Sequence, residues 1–138
     1  MNLRYVIDVN ILMSILISGK SQYINILSLF DFILPEFAFI ELNLYKDVVT
    51  QKTKLDENQF RQYAYTIFSL IRFVPIFIQK EKSIKNATKL CEKIDIKDVS
   101  YVSLAIDTDL ILLTRDERLY KGLRKQKFMQ VELFENFL

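Results

Sequence analysis

The sequence predicts an α/β fold: a three-layer α/β/α sandwich around a central, mainly parallel sheet of four or five short strands. Three observations predict it. Short apolar β-type runs alternate with helical patterns along the chain. The runs are apolar throughout, as strands are when a parallel sheet is covered on both faces. Acids recur at the ends of those runs, beginning with Asp8 after Arg4-Tyr5-Val6-Ile7. Right-handed crossovers point the carboxyl ends of parallel strands to one edge. In open α/β sheets ligands bind in the crevice there.

The elements follow in order. After the first strand, Ile11 to Ile17 reads as a helix closed by Ser18-Gly19. Ser21 is expected to cap a second helix, with Tyr23, Ile24, Leu27 and Phe30 at helical spacing. Asp31 to Pro35 is a strand, and Pro35 suits the first turn of a helix reaching about Lys52. Asp56 opens a helix to about Arg72, and Phe73 to Ile78 is an apolar, partly extended connection broken by Pro75. Lys80 to Ile94 is a helix, Asp95 to Asp98 a polar turn, and Asp98 the start of a helix to about Asp107. Leu110 to Thr114 is a strand, Asp116 to Lys125 a helix, and Phe128 to Leu133 a last strand.

The 138 residues suffice for one domain with a core, and no repeat or linker divides them, so a single domain over 1–138 is expected. No apolar stretch is long enough to span a bilayer. The segment Ile11 to Ile17 follows an acid and has neither a basic leader nor a small-residue cleavage site, so it is not expected to act as a signal peptide. The lone cysteine, Cys91, falls on an apolar helical face and reads as a core thiol. It fits a reducing compartment, so a cytoplasmic location is expected.

Two absences narrow the chemistry. With no histidine, Ser-His-Asp and Cys-His catalysis and histidine-ligated metals are excluded. With only Gly19 and Gly122, there is no glycine-rich phosphate loop. Any catalysis must run on carboxylates, lysines, hydroxyls and a hard metal ion. A net charge of +2 is too small to diagnose nucleic-acid binding.

Asp98 and Asp116 each begin a helical pattern, and capping alone would explain either. Glu41 is harder to explain as structure. It shares a predicted face with Phe37, Leu44 and Val48, with no basic residue one turn away. A carboxylate buried there must be paired, protonated or bound to a cation; the alternative is a Glu at the stripe edge reaching water. Asp98 shares a face with Val102, Ala105 and Ile106 and points toward the core side. A cluster of such acids repels itself unless a divalent cation neutralises it. Oxygen-only ligands suit Mg²⁺ or Mn²⁺.

These residues resemble a known family. Val6-Ile-Asp8-Val-Asn10 resembles the opening motif of PIN domains, whose acid binds metal and whose Asn steadies the site. Glu41 occupies the place of the family's second acid. Asp95-Ile-Lys-Asp98 followed by Tyr101-Val-Ser-Leu-Ala105 looks like the third motif, with Asp98 as its acid. Leu112-Leu-Thr114-Arg-Asp116 looks like the fourth, with Thr114 placing the loop and Asp116 closing the site. One departure is Arg118, where some members carry another acid; the number of metals stays open.

The resemblance implies a PIN-like sandwich and a Mg²⁺- or Mn²⁺-dependent endoribonuclease of the VapC toxin type, with RNA as substrate. Asp8, Glu41, Asp98 and Asp116 would surround the ion, with Asn10 and Thr114 in support. Hydrolysis through metal-activated water fits a site without histidine. The family implies a homodimer and an antitoxin partner, and nothing in the sequence points to a membrane. Arg115 and Arg118, beside the fourth motif, are the candidates for substrate phosphate contact. The stripe Lys82, Lys85, Lys89 and Lys93 reads as a solvated face, and Tyr63, Tyr65 and Tyr101 as packing rather than base-stacking residues. The apolar run from Phe60 to Ile78 is either core, a dimer face or a groove for an antitoxin helix.

Two rivals remain. One is a PIN-like module that binds RNA or protein without catalysis. The other is a receiver-type signalling domain, which the absence of a strand-end lysine disfavours.

Overall fold

The computed structural model describes residues 3–137. Its central strand is β1 (Arg4–Ile7), followed by α1 (Val9–Ser18), α2 (Ser21–Leu29) and β2 (Asp31–Pro35). Next come α3 (Glu36–Leu44), α4 (Lys46–Lys52), α5 (Glu57–Ser69) and β3 (Ile71–Val74). A 3-10 turn (Ile76–Ile78) leads into α6 (Glu81–Cys91), and a second (Ile96–Asp98) into α7 (Val99–Thr108). The chain closes through β4 (Ile111–Thr114), α8 (Glu117–Lys125), β5 (Val131–Leu133) and α9 (Phe134–Phe137).

The five strands form one parallel sheet in the order β3-β2-β1-β4-β5. The chain builds outward from β1 on one side, then returns to build β4 and β5 on the other. That reversal is a topological switch point, and it falls between β1 and β4. Val6, Ile7, Leu34, Leu112 and Leu113 are buried, so helices must cover both sheet faces. Helix α7 packs on β1, β2 and β4, α5 on β3, and α8 on β4 and β5. Among the described residues, no helix is long and apolar enough to cross a membrane.

Local chemistry explains most boundaries. Gly19 closes α1 at φ +64°, and its N–H returns to the Ile15 carbonyl. Asp56 and Gln59 form a reciprocal capping box at the start of α5. The apolar side of α5, including Tyr63 and Ile67, is taken up by the chain's own core. Tyr63 also donates to the carbonyls of Ile15 and Lys20, so it is a structural tyrosine. Tyr65 is exposed. Cys91 is buried, and desolvation pushes its thiol up to about 12, which leaves it inert.

Several expectations need correction. Ser21 is the first residue of α2 rather than its cap; Lys20 precedes it and supplies no side-chain bond. The helix after Pro35 breaks at Tyr45, whose N–H is shared between the Glu41 and Leu42 carbonyls, the bifurcated pattern of a helix end. The connection after α5 is a true strand, Ile71–Val74, because it pairs with β2 along its length. The last strand starts at Val131 rather than Phe128, and a short helix, α9, follows it where the sequence pattern shows none. Phe137 on α9 meets Tyr5, Phe30 and Phe32 edge-on, which seals that end of the core.

Candidate active site

Asp8 directly follows β1, and Asp116 lies two residues past β4. Ile7 pairs with Leu113 in the sheet, so Asp8 and Thr114 come level one step further on. Thr114 is fully buried and its hydroxyl donates to Oδ2 of Asp8 at 2.7 Å. The same hydroxyl oxygen accepts the N–H of Asp116 at 3.0 Å, tying the loop after β4 to the end of β1. Oδ1 of Asp8 accepts the N–H of Ile11 at 3.1 Å, so this acid is also the cap of α1. Asp116 caps α8 by accepting the N–H of Leu119 at 3.1 Å.

Glu41 enters from α3. The reason expected for its importance does not hold: Leu44 is 76% exposed and Val48 38%, so the face they share is not a buried stripe. The buried residue of α3 is Ala38. Glu41 reaches the sheet edge nonetheless, and its Oε1 accepts the Tyr101 hydroxyl at 2.6 Å. Asp98 ends the 3-10 turn before α7. It makes no side-chain capping bond, contrary to the capping expectation, and its carboxylate accepts no hydrogen bond among the described residues.

The chain thus brings Asp8, Glu41, Asp98 and Asp116 to one cavity of about 370 Å³. Asn10, an exposed residue in the first turn of α1, lines it too. A fifth carboxylate, Asp95, was missed as a site residue; its spacing of three from Asp98 was the available signal. Lys97 is the basic side chain of the lining, and Tyr45 stands there because α3 breaks at it. Arg115 and Arg118 do not line the cavity. The Arg115 guanidinium lies over the Phe134 ring at 5.3 Å, and Arg118 donates to the Ile94 carbonyl at 3.3 Å.

The electrostatics are those of a site built for positive charge. Desolvation by burial raises the Asp8 carboxyl above its ordinary value, against the opposing pull of its bonds from Thr114 and Ile11. Asp98 is pushed up to about 7, by burial first and then by Asp95, Asp116, Asp8 and Glu41. Tyr101 is raised too, by burial first and then by Glu41. Among the described residues the ion pairs are Arg4–Asp31, Lys121–Glu117 and Arg124–Glu132, and none involves an acid of this cavity.

That donor set fits a hard divalent cation: carboxylate oxygens, no nitrogen or sulfur ligand, and mutual repulsion left unneutralised. Among the described residues, no three acids are already drawn together as a ligand set, so the acids line one depression without yet gripping one point.

A parallel sheet with acids gathered at its switch point defines a class of α/β site that takes a charged ligand or cation beyond the strand ends. Residues 6–134 match the family model described as PIN domain, and the chain belongs to the PIN domain family. PIN domains are generally nucleases. Among solved structures, the fold is similar to the crystal structure of PAE2754 from Pyrobaculum aerophilum. The TM-score is 0.62 at 13% identity, over 99% of this chain and 95% of that one. No curated protein sequence matches the chain.

Proposed function

We propose that this protein is a Mg²⁺- or Mn²⁺-dependent endoribonuclease, with Asp8, Glu41, Asp98 and Asp116 holding the ion at the carboxyl edge of the sheet. The observation that carries the reading is the meeting of acids from four distant segments in one cavity, with no ion-pair partner for them among the described residues. When bound, such an ion polarises a phosphate oxygen and makes water acidic enough to attack it.

The chain's own residues supply position and charge. Thr114 and the α1 amide of Ile11 hold Asp8, and the α8 amide of Leu119 holds Asp116. Asn10 borders the cavity from α1 as a hydrogen-bonding residue for ion or substrate. Lys97 lines the cavity and offers a cation to a phosphate there, and Arg115 and Arg118 serve phosphates farther along an RNA strand. Asp95 adds negative charge that strengthens the attraction for a divalent ion. The motif order further supports a VapC-type toxin, dimeric, cytoplasmic and held by an antitoxin; a small neighbouring gene encoding a DNA-binding segment tests that role.

The alternative is a PIN-like module that binds RNA or protein without catalysis. Incubation of purified protein with RNA and Mn²⁺ separates the two. The nuclease reading requires cleavage that chelator stops and that Asp8→Asn, folded, lacks. Metal-independent binding of RNA with no cleavage supports the module instead.

A further inference from the structure

We infer that Tyr101 is a positioning residue that fixes one oxygen of Glu41 and presents the other to the cation. The inference rests on the metal-site reading above.

Glu41 needs such a device. Its helix is shallowly seated, with Ala38 as its buried residue and Leu44 open to solvent. A glutamate carries three rotatable side-chain bonds, and an untethered one must be ordered each time an ion binds. Tyr101 is the opposite kind of residue. It is 3% exposed, and the neighbouring turns of α7 bury Val102, Leu104 and Ala105. Helix α7 in turn packs on β1, β2 and β4, the strands that define the switch point.

The hydroxyl of Tyr101 therefore occupies a fixed place relative to Asp8. Its 2.6 Å bond to Oε1 of Glu41 joins residues 60 positions apart and is of the short, charge-assisted type. Tyr101 thus ties α7 to α3. Oε2 of Glu41 accepts no hydrogen bond among the described residues, which leaves it open to an ion. Partners that orient a ligand in this way typically change metal affinity by about 10- to 100-fold when removed.

Tyr101→Phe removes the hydroxyl and keeps the ring. Mn²⁺ titration by calorimetry should show affinity about tenfold weaker than wild type, with the metal-free variant still folded by circular dichroism. In a Glu41→Ala background, adding Tyr101→Phe should cause no further loss, because the oxygen it positions is gone. Unchanged Mn²⁺ affinity in Tyr101→Phe overturns the inference. So does an equal loss in the Glu41→Ala background, which would mark a purely structural role. Wild-type protein that binds no Mn²⁺ overturns the metal reading and this inference with it.

Discussion

Thr114 donates a 2.7 Å hydrogen bond to Asp8, 106 residues earlier in the chain. The bond follows from sheet register: β1 and β4 are parallel neighbours, and the pairing of Ile7 with Leu113 brings the next residues level. The two strands on either side of the chain's reversal are thereby locked at the point where the acids meet.

Replacing Thr114 with Val keeps the shape and removes the hydroxyl. Buried Asp8 then loses a donor, and the Asp116 N–H loses its acceptor. We expect a loss of about 1–3 kcal/mol in stability, the usual cost of a buried polar group left without its partner. Urea unfolding of Thr114→Val beside Thr114→Ser measures it, and the serine variant should recover most of the loss.

The pH dependence has a defined sign. Asp98 is raised from 3.8 to about 7, so the folded chain holds its proton more tightly than the unfolded chain does. That contribution to stability is fully present below about pH 4 and is lost as pH rises toward 7. Discounted for solvent screening, the cost at neutral pH in the absence of metal is about 1–2 kcal/mol. Asp98→Asn should therefore be more stable than wild type at neutral pH in chelator, and the advantage should vanish in acid. Divalent ions should bind wild type more tightly as pH rises through 7, since they compete with that proton.

Much of this was legible in the sequence for physical reasons. The strands β1, β2 and β4 announce themselves because both their faces are buried, which forces continuous apolar runs. Asp8 and Asp116 could be placed at one edge because parallel connections leave few alternatives. Glu41 lines the cavity for a reason other than the expected one: helical periodicity implies a buried face, yet Leu44 and Val48 face solvent. Its hydrogen-bond partner comes from α7, and no local pattern reveals a contact 60 residues away. Tyr45 was hidden because no proline or glycine marks the break between α3 and α4. The engagement of Arg118 with the Ile94 carbonyl is likewise a tertiary event that charge patterning does not show.

Gly19 provides a test of the fold independent of the site. Its φ of +64° is a conformation that L side chains rarely adopt, and an added Cβ would lie 2.8 Å from Leu55 Cγ and Cδ1. Gly19→Ala should lower stability by about 1–3 kcal/mol, combining left-handed backbone strain with displacement of Leu55. Thermal unfolding measures this, and Mn²⁺ affinity should stay near the wild-type value.

On the proposed reading, carboxylates from four parts of the chain close around one hard cation at the sheet edge. Crystals soaked in Mn²⁺ and measured at the manganese absorption edge test this directly. An anomalous peak is expected within coordination distance, about 2.0–2.4 Å, of Asp8 and of at least one of Glu41, Asp98 and Asp116. A cavity without such a peak at saturating Mn²⁺, or a peak bound only by acids elsewhere, would contradict it.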